Sequence, residues 1–223
     1  MDEPVANLAA DVKKLESIAK DISSDSVCAK QHYVGFKTVL EEYQEQPQLL
    51  DAHLEKLCVP LLKVLAEGTE CLQDEERFKA VMQTCRLLQC LVHTCGHKII
   101  ARFLPNKPPD LAKAMTILLH LRSLEASSEI DEDAQDGHWQ TTCVVLMWLA
   151  VLVQIPFDLH SVKLPATMVQ HAEPGIETFV PWVVSTVKPN LCLPGPVRCA
   201  THPHHSPSRS AFFRVSTPVL QHA

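Results

Sequence analysis

The chain has 223 residues, a formal net charge of −6 and a hydrophobic content of 46%, which is ample for a buried core. Only 6 glycines and 5% aromatic residues argue against a β-sandwich or β-barrel, which need glycine-rich turns and β-branched alternation. The composition therefore predicts a soluble, all-α protein.

Charge is divided unevenly along the chain. Residues 1–159 carry 15 basic and 24 acidic side chains, whereas residues 160–223 carry 5 basic and 2 acidic ones. Because binding to phosphates needs clustered Lys and Arg, the acidic first part predicts no nucleic-acid partner. Nine cysteines at uneven spacing, without a secretory signal, predict a reducing, cytoplasmic location.

The first three predicted helices lie before Gly68. Apolar residues at steps of three and four predict one amphipathic helix that ends near Ser23 and a second that Pro47 stops. Asp51 is then placed to cap a third helix. Pro60 lies inside this helix and should kink it, at a cost of about 3 kcal/mol in an isolated helix.

Three further helices follow. Asp74 or Glu75 opens the fourth, which has the longest regular apolar face, and Gly96 is expected to come directly after its last residue. A short fifth helix ends at Pro105. Pro108 begins the sixth helix, because proline is favoured at the first helical position.

An acidic segment leads into the most apolar part of the chain. Residues 125–137 predict a solvated loop, without the spacing of a calcium-binding EF-hand. Every residue from Cys143 to Val153 is apolar, so a helix here must be buried on all sides, and we expect it to be the innermost helix. It would be about 16 Å long against roughly 30 Å for a bilayer core, so no membrane span is predicted.

The predicted helices form hairpins at a spacing of about 40 residues, as in HEAT and armadillo repeats. The predicted fold is therefore an all-α, HEAT/armadillo-like helical solenoid fragment, with a globular bundle of four to seven helices as the alternative. The predicted organisation is an N-terminal amphipathic helix over residues 1–27, HEAT-like repeats over 28–159, and a tail over 160–223.

The tail holds 9 of the 16 prolines and half of the 12 histidines. Such a segment buries too little apolar area to offset backbone ordering of about 1–2 kcal/mol per residue, so we expect it to be largely disordered. An apolar run from Phe179 to Val184 is expected to collapse onto the open end of the helical stack.

The sequence predicts neither a metal site nor an enzyme. Cys85 and Cys90 would point about 140° apart on a helix, so core cysteines are favoured over zinc ligands. The chain lacks a Gly-rich phosphate loop, a nucleophile elbow and a His-Glu-x-x-His motif, and no cofactor is expected. The candidate metal ligands are Cys85, Cys90, His93, Cys95 and His97, with His202, His204 and His205 in the tail.

Three stretches of the chain resemble the N-terminal region of the tubulin-folding cofactor D family. They are YQEQPQLLD at 43–51, continuing through 53–55, then Gly96-His97-Lys98 with Arg102 and Pro105, and Met147-Trp148-Leu149 with IPFD at 155–158. The resemblance covers about residues 31–159. The resemblance implies that the chain is a truncated N-terminal fragment of a family member, followed by an unrelated tail.

The resemblance implies a chaperone that captures β-tubulin during assembly and disassembly of the αβ-tubulin heterodimer, at the microtubule cytoskeleton of the cytoplasm. It implies as further partners a small ARF-like GTPase and tubulin cofactors C and E, with GTPase activation as a co-function of the full-length family. The alternatives are a generic HEAT-like adaptor for protein interactions and a truncated product without function.

Lys98, Arg102 and Lys107 are the candidate partner-binding residues. β-Tubulin is acidic, and like charges oppose encounter, so basic side chains suit it better than the acidic segment does. The alternative is that these three residues only form a solvated edge of the fold.

Overall fold

The computed structural model describes residues 3–22, 26–68, 74–126 and 132–154, together with the single residues 156, 181 and 184. These residues form helices and no strand. The helices are α1 (Glu3–Lys20), α2 (Ser26–Glu41), a 3₁₀ helix (Pro47–His53), α3 (Leu54–Gly68), α4 (Glu75–Cys95), α5 (His97–Ala101), α6 (Pro108–Ala126) and α7 (Glu132–Leu152).

The longer helices pack as three pairs, α1 with α2, α3 with α4, and α6 with α7. Between the pairs, α1 packs on α3, while α2, α4 and α7 form a continuous row in which α4 contacts both neighbours. The short helix α5 contacts α4 and α7, between the second and third pairs. Each pair buries its apolar face against the next, as in a helical solenoid, and the predicted fold class is confirmed.

The most enclosed helix is α4, which contacts α2, α3, α5, α7 and the 3₁₀ helix. It buries even its polar residues Gln83 and Thr84. The prediction that the apolar helix α7 would be innermost is wrong, because Trp139 and Ala150 on α7 are exposed. Apolar content measures how much a helix gains from burial, but the neighbours available to it decide how much of it is covered.

Several helix ends follow from local chemistry as predicted. Asp74 caps α4, where its Oδ1 accepts a hydrogen bond from the Glu76 N–H at 3.1 Å. Gly96 follows the last residue of α4 at φ 90°, a left-handed conformation that favours glycine, and its N–H donates to the Val92 carbonyl. Pro60 lies inside α3, as expected.

Several predicted boundaries are wrong. α2 ends at Glu41 and α5 at Ala101, so neither helix reaches the proline, Pro47 or Pro105, that was expected to end it. Asp51 does not cap α3, because Pro47 starts a 3₁₀ helix that contains Asp51 and runs directly into α3 at Leu54. The acidic segment does not extend as a loop to Gly137, because α7 already begins at Glu132. Acidic residues in a first helical turn interact favourably with the helix dipole, so the charges that suggested a loop are compatible with a helix start.

The predicted tail lies almost entirely outside the described residues, as does the expected cap from Phe179 to Val184. Val184 itself is described, and 56% of it is exposed. Among the described helices, none combines the length and the apolar character that crossing a membrane requires.

Candidate functional site

The three candidate residues lie on one stretch of the chain, residues 97–107, which we call the basic segment. Gly96 separates it from α4, so the backbone changes direction at this point. Lys98 lies in α5, Arg102 directly follows α5, and Lys107 directly precedes α6. All three side chains are exposed.

The basic segment is fixed to the core at its centre. Ile100 and Leu104 are buried, so apolar side chains hold the backbone from below while the basic ones face solvent. The fully buried Trp148 of α7 donates a hydrogen bond from its indole Nε1 to the Pro105 carbonyl at 2.6 Å. A buried indole N–H needs an acceptor, and here that acceptor belongs to the basic segment.

The segment is also fixed where it joins α6. Asp110 is buried, and its Oδ2 accepts a hydrogen bond from the Lys107 backbone N–H at 3.0 Å. The Asp110 Oδ1 lies 4.0 Å from the Lys113 Nζ. A surface segment held in one conformation loses less entropy when it binds a partner, so this bracing favours recognition.

The charge balance of the basic segment differs from that of several lysines elsewhere on the surface. Lys20, Lys37, Lys63 and Lys79 each form an ion pair with an acidic residue four positions away. Within the described part of the chain, Lys98, Arg102 and Lys107 form no such pair. Their charges are therefore available to an acidic partner, although binding by these residues stays a prediction.

The cysteines considered as metal ligands lie in the core. Burial raises the pKa of Cys85 to about 12, although a side-chain hydrogen bond with Thr141 opposes this. Burial also raises the pKa of Cys95 and of Cys90 to about 11 each. A raised pKa keeps the sulfur as a thiol, whereas zinc binding and nucleophilic attack need the thiolate.

The described residues contain no group of three or more His, Cys, Asp and Glu side chains that could hold a metal ion. The histidines near the end of α4 are exposed instead. His93 lies 3.5 Å from the Gln44 side chain, measured between its Nδ1 and the Gln44 Nε2. The histidines at positions 202, 204 and 205 lie outside the described residues.

Contacts between distant residues were not predicted from the sequence. The Tyr43 hydroxyl donates to the Asp11 Oδ2 at 2.8 Å, which ties α1 to the turn after α2. Burial, together with this acceptor, raises the pKa of Tyr43 to about 12. The Arg86 guanidinium of α4 lies 4.2 Å from the centre of the Tyr33 ring of α2. These contacts join residues whose separation in the chain gives no periodic signal.

An open cleft of about 460 Å³ lies on the opposite part of the stack, between α1 and α3. Its rim carries two acidic and two basic side chains, so it shows no preference for a charged ligand. The residues that line it are Glu16, Lys20, Glu55, Lys56, Val59 and Pro60.

Comparison with known proteins gives one family match. A family model described as tubulin-specific chaperone D-like, ARM repeat, matches residues 40–202. The match includes the whole basic segment and all of α3 to α7. No solved structure matches the chain significantly.

The extent of the match bears on the predicted tail. The match continues past Leu159, where the resemblance read from the sequence ends, to residue 202. This counts against an unrelated origin for residues 160–202. Residues 203–223 lie outside the match, and so does α1.

Proposed function

This chain belongs to the tubulin-specific chaperone D-like ARM repeat family, and on that premise we propose that it binds β-tubulin as a chaperone in assembly and disassembly of the αβ-tubulin heterodimer. The observation that carries the proposal is the family match over residues 40–202. Membership of the family supports an interaction related to tubulin. That the chain binds β-tubulin, and that it acts in assembly and disassembly of the heterodimer, is our proposal.

The basic segment supports a docking role for this part of the stack. Its three cations are exposed and have no ion pair within the described residues, and the bonds to Trp148 and Asp110 hold its backbone in place. An acidic protein such as β-tubulin would be attracted to it over a distance of about 8–10 Å at physiological salt. We therefore propose that Lys98, Arg102 and Lys107 contact β-tubulin.

The further partners belong to the same proposal. A small ARF-like GTPase and tubulin cofactors C and E would act with the chain, and GTPase activation would belong to the assembly and not to this chain alone. We propose no enzymatic activity for the chain itself, and the raised pKa values of Cys85, Cys90 and Cys95 support this. The proposed location is the cytoplasm, where tubulin is assembled, without nucleic acid or membrane as a partner.

Capture of purified β-tubulin at low salt tests the proposal. The wild-type chain is compared with Lys98→Glu/Arg102→Glu and with the control Lys13→Glu/Lys14→Glu. The control changes the charge equally on exposed residues of α1, outside the family match. We expect roughly tenfold weaker capture by the first variant, since each reversed surface charge contributes about 0.5–1 kcal/mol, and little change in the control.

The experiment distinguishes two parts of the proposal, namely that the chain binds β-tubulin and that it does so through the basic segment. If the wild-type chain does not capture β-tubulin, the proposed function is wrong. If the wild type captures β-tubulin and the two double variants capture it equally well, the chain binds tubulin but not through the basic segment. Raising the salt concentration should weaken capture by the wild type more than capture by Lys98→Glu/Arg102→Glu.

A further inference from the structure

One side of α7 is defined by its contacts with α4. Thr141 faces α4, where its side chain lies close enough to Cys85 to act on the pKa of that thiol. A Cβ atom built on Gly137 would lie 2.7 Å from the Met82 Cε of α4, so α7 approaches α4 closely here. Successive helical residues are about 100° apart, so positions two before and two after Thr141 lie on the opposite side of α7.

That opposite side carries a row of apolar residues, which we call the α7 stripe. Ala150 is exposed, as are 55% of Trp139 and 42% of Val153, although a side chain such as Trp139 would gain from burial. The row advances at alternating steps of four and three residues, which is the spacing of a seam between two packed helices. The α7 stripe consists of Trp139, Cys143, Leu146 and Ala150 of α7, with Val153 directly after the helix; Cys143 and Leu146 are half-buried.

The position of the α7 stripe in the stack indicates what should cover it. In the row formed by α2, α4 and α7, the middle helix α4 contacts a row neighbour on each side, α2 and α7. Helix α7 is at the end of the row, and its only row neighbour among the described residues is α4. The next helix of the row would lie on the α7 stripe. Repeats of this kind bury their apolar faces only by stacking on neighbours.

The chain itself contains enough family-related sequence to supply that layer. The family match extends 48 residues past Gln154, to residue 202, and one HEAT or armadillo unit needs about 40–47 residues. Within this part, the run IETFVPWVV at 176–184 has six apolar residues besides its proline. Val184 is exposed, so its side chain does not cover the α7 stripe. The other apolar residues of this run lie outside the described residues.

We propose that residues 157–202 pack on the α7 stripe as the next layer of the helical stack. This proposal replaces the expectation of disorder for residues 160–202, which rested on the composition of the segment, its lack of a helical period and the end of the family resemblance near Leu159. It does not depend on tubulin binding. The occupant is a segment of the same chain, so the contact is intramolecular and independent of protein concentration.

Hydrogen exchange of the full-length chain, followed by mass spectrometry, tests the proposal. We compare the wild type, Ala150→Glu on the α7 stripe, and the control Ala10→Glu, which changes another exposed helical alanine, on α1. Both variants make the same change in helix propensity, so they differ only in location. In the wild type we expect amides of residues 157–202 to exchange at least about tenfold more slowly than those of residues 203–223.

Ala150→Glu should remove this protection from residues 157–202, whereas Ala10→Glu should retain it. Trp139→Gln provides a second variant on the stripe, and circular dichroism confirms that each variant keeps its helices. The proposal is overturned if residues 157–202 exchange as fast as 203–223 in the wild type, or if neither stripe variant changes their exchange. A concentration-dependent dimer that Ala150→Glu abolishes, with exchange in 157–202 unchanged, assigns the stripe to a second copy and also overturns it.

Discussion

At the scale of single residues, Trp148 connects the core to the basic segment. Its side chain is fully buried, and its indole donates to a carbonyl 43 residues earlier in the chain. Apolar packing alone would be satisfied by a leucine or phenylalanine of suitable size. The hydrogen bond explains what a tryptophan adds here, because it holds Pro105, near the end of the basic segment, against α7.

Two substitutions separate the roles of Trp148. Trp148→Ala should lower the free energy of unfolding by about 3–5 kcal/mol, because it removes a large buried side chain. Trp148→Phe keeps most of the apolar volume but leaves the Pro105 carbonyl without its donor, so we expect a loss of about 1–3 kcal/mol. Urea denaturation measures both, with Val34→Ala as a control, since Val34 is 55% exposed and should change stability by less than about 0.5 kcal/mol.

If Trp148→Ala unfolds at the same urea concentration as Val34→Ala, Trp148 does not belong to the core. If Trp148→Phe is as stable as the wild type, the bond to Pro105 contributes nothing net. In that case the basic segment depends on Ile100 and Leu104 for its position.

At the scale of helices, two glycines show how closely neighbouring elements approach. Gly68 ends α3, and a Cβ atom there would overlap a γ-methyl of Val81 in α4. Gly137 lies inside α7, and a Cβ atom there would meet the terminal methyl of Met82 at 2.7 Å. The two neighbours differ in stiffness, because valine is branched at Cβ whereas the end of methionine moves easily.

The same substitution should therefore have opposite effects at the two glycines. Gly68→Ala should destabilise the protein by about 1–3 kcal/mol through overpacking against Val81. Gly137→Ala should be neutral or stabilising by up to about 1 kcal/mol, because alanine is the better helix former and Met82 can give way. Thermal melts of the two variants beside the wild type measure the difference, and a shift in the same direction for both would contradict this account.

At the scale of the whole molecule, α4 organises the stack. It contacts α2, α3, α5, α7 and the 3₁₀ helix, whereas Trp139 and Ala150 of α7 are exposed. Stability is not uniform across a structure, and the most enclosed backbone opens last. The order in which amides exchange with solvent therefore reports which helix is innermost.

We expect the amides of Leu87 and Leu88 in α4 to be the slowest to exchange in the molecule. Those of α7 from Ala150 to Leu152 should exchange faster, because this part of α7 is exposed on one side. Amide-resolved hydrogen exchange by NMR measures both sets under the same conditions. Slower exchange in α7 than in α4 would mean that the more apolar helix is the more enclosed one after all.

Features that depend on neighbouring residues could be predicted from the sequence. The steps of three and four that define its helices, the cap at Asp74 and the left-handed Gly96 are all local, because each depends on residues within a turn of one another. The family was also accessible from short stretches such as YQEQPQLLD at 43–51, and the family match confirms it.

Which helices pack against each other could not be predicted from the sequence and is known from the packed fold. The sequence ranked α7 as innermost because it is the most apolar, but the stack places neighbours around α4. The Trp148 bond to Pro105 and the lack of ion pairs at the basic segment within the described residues likewise depend on residues far apart in the chain. Local periodicity fixes the direction of a side chain on its own helix. Which residue that side chain contacts depends on how all the helices pack together to bury their apolar faces.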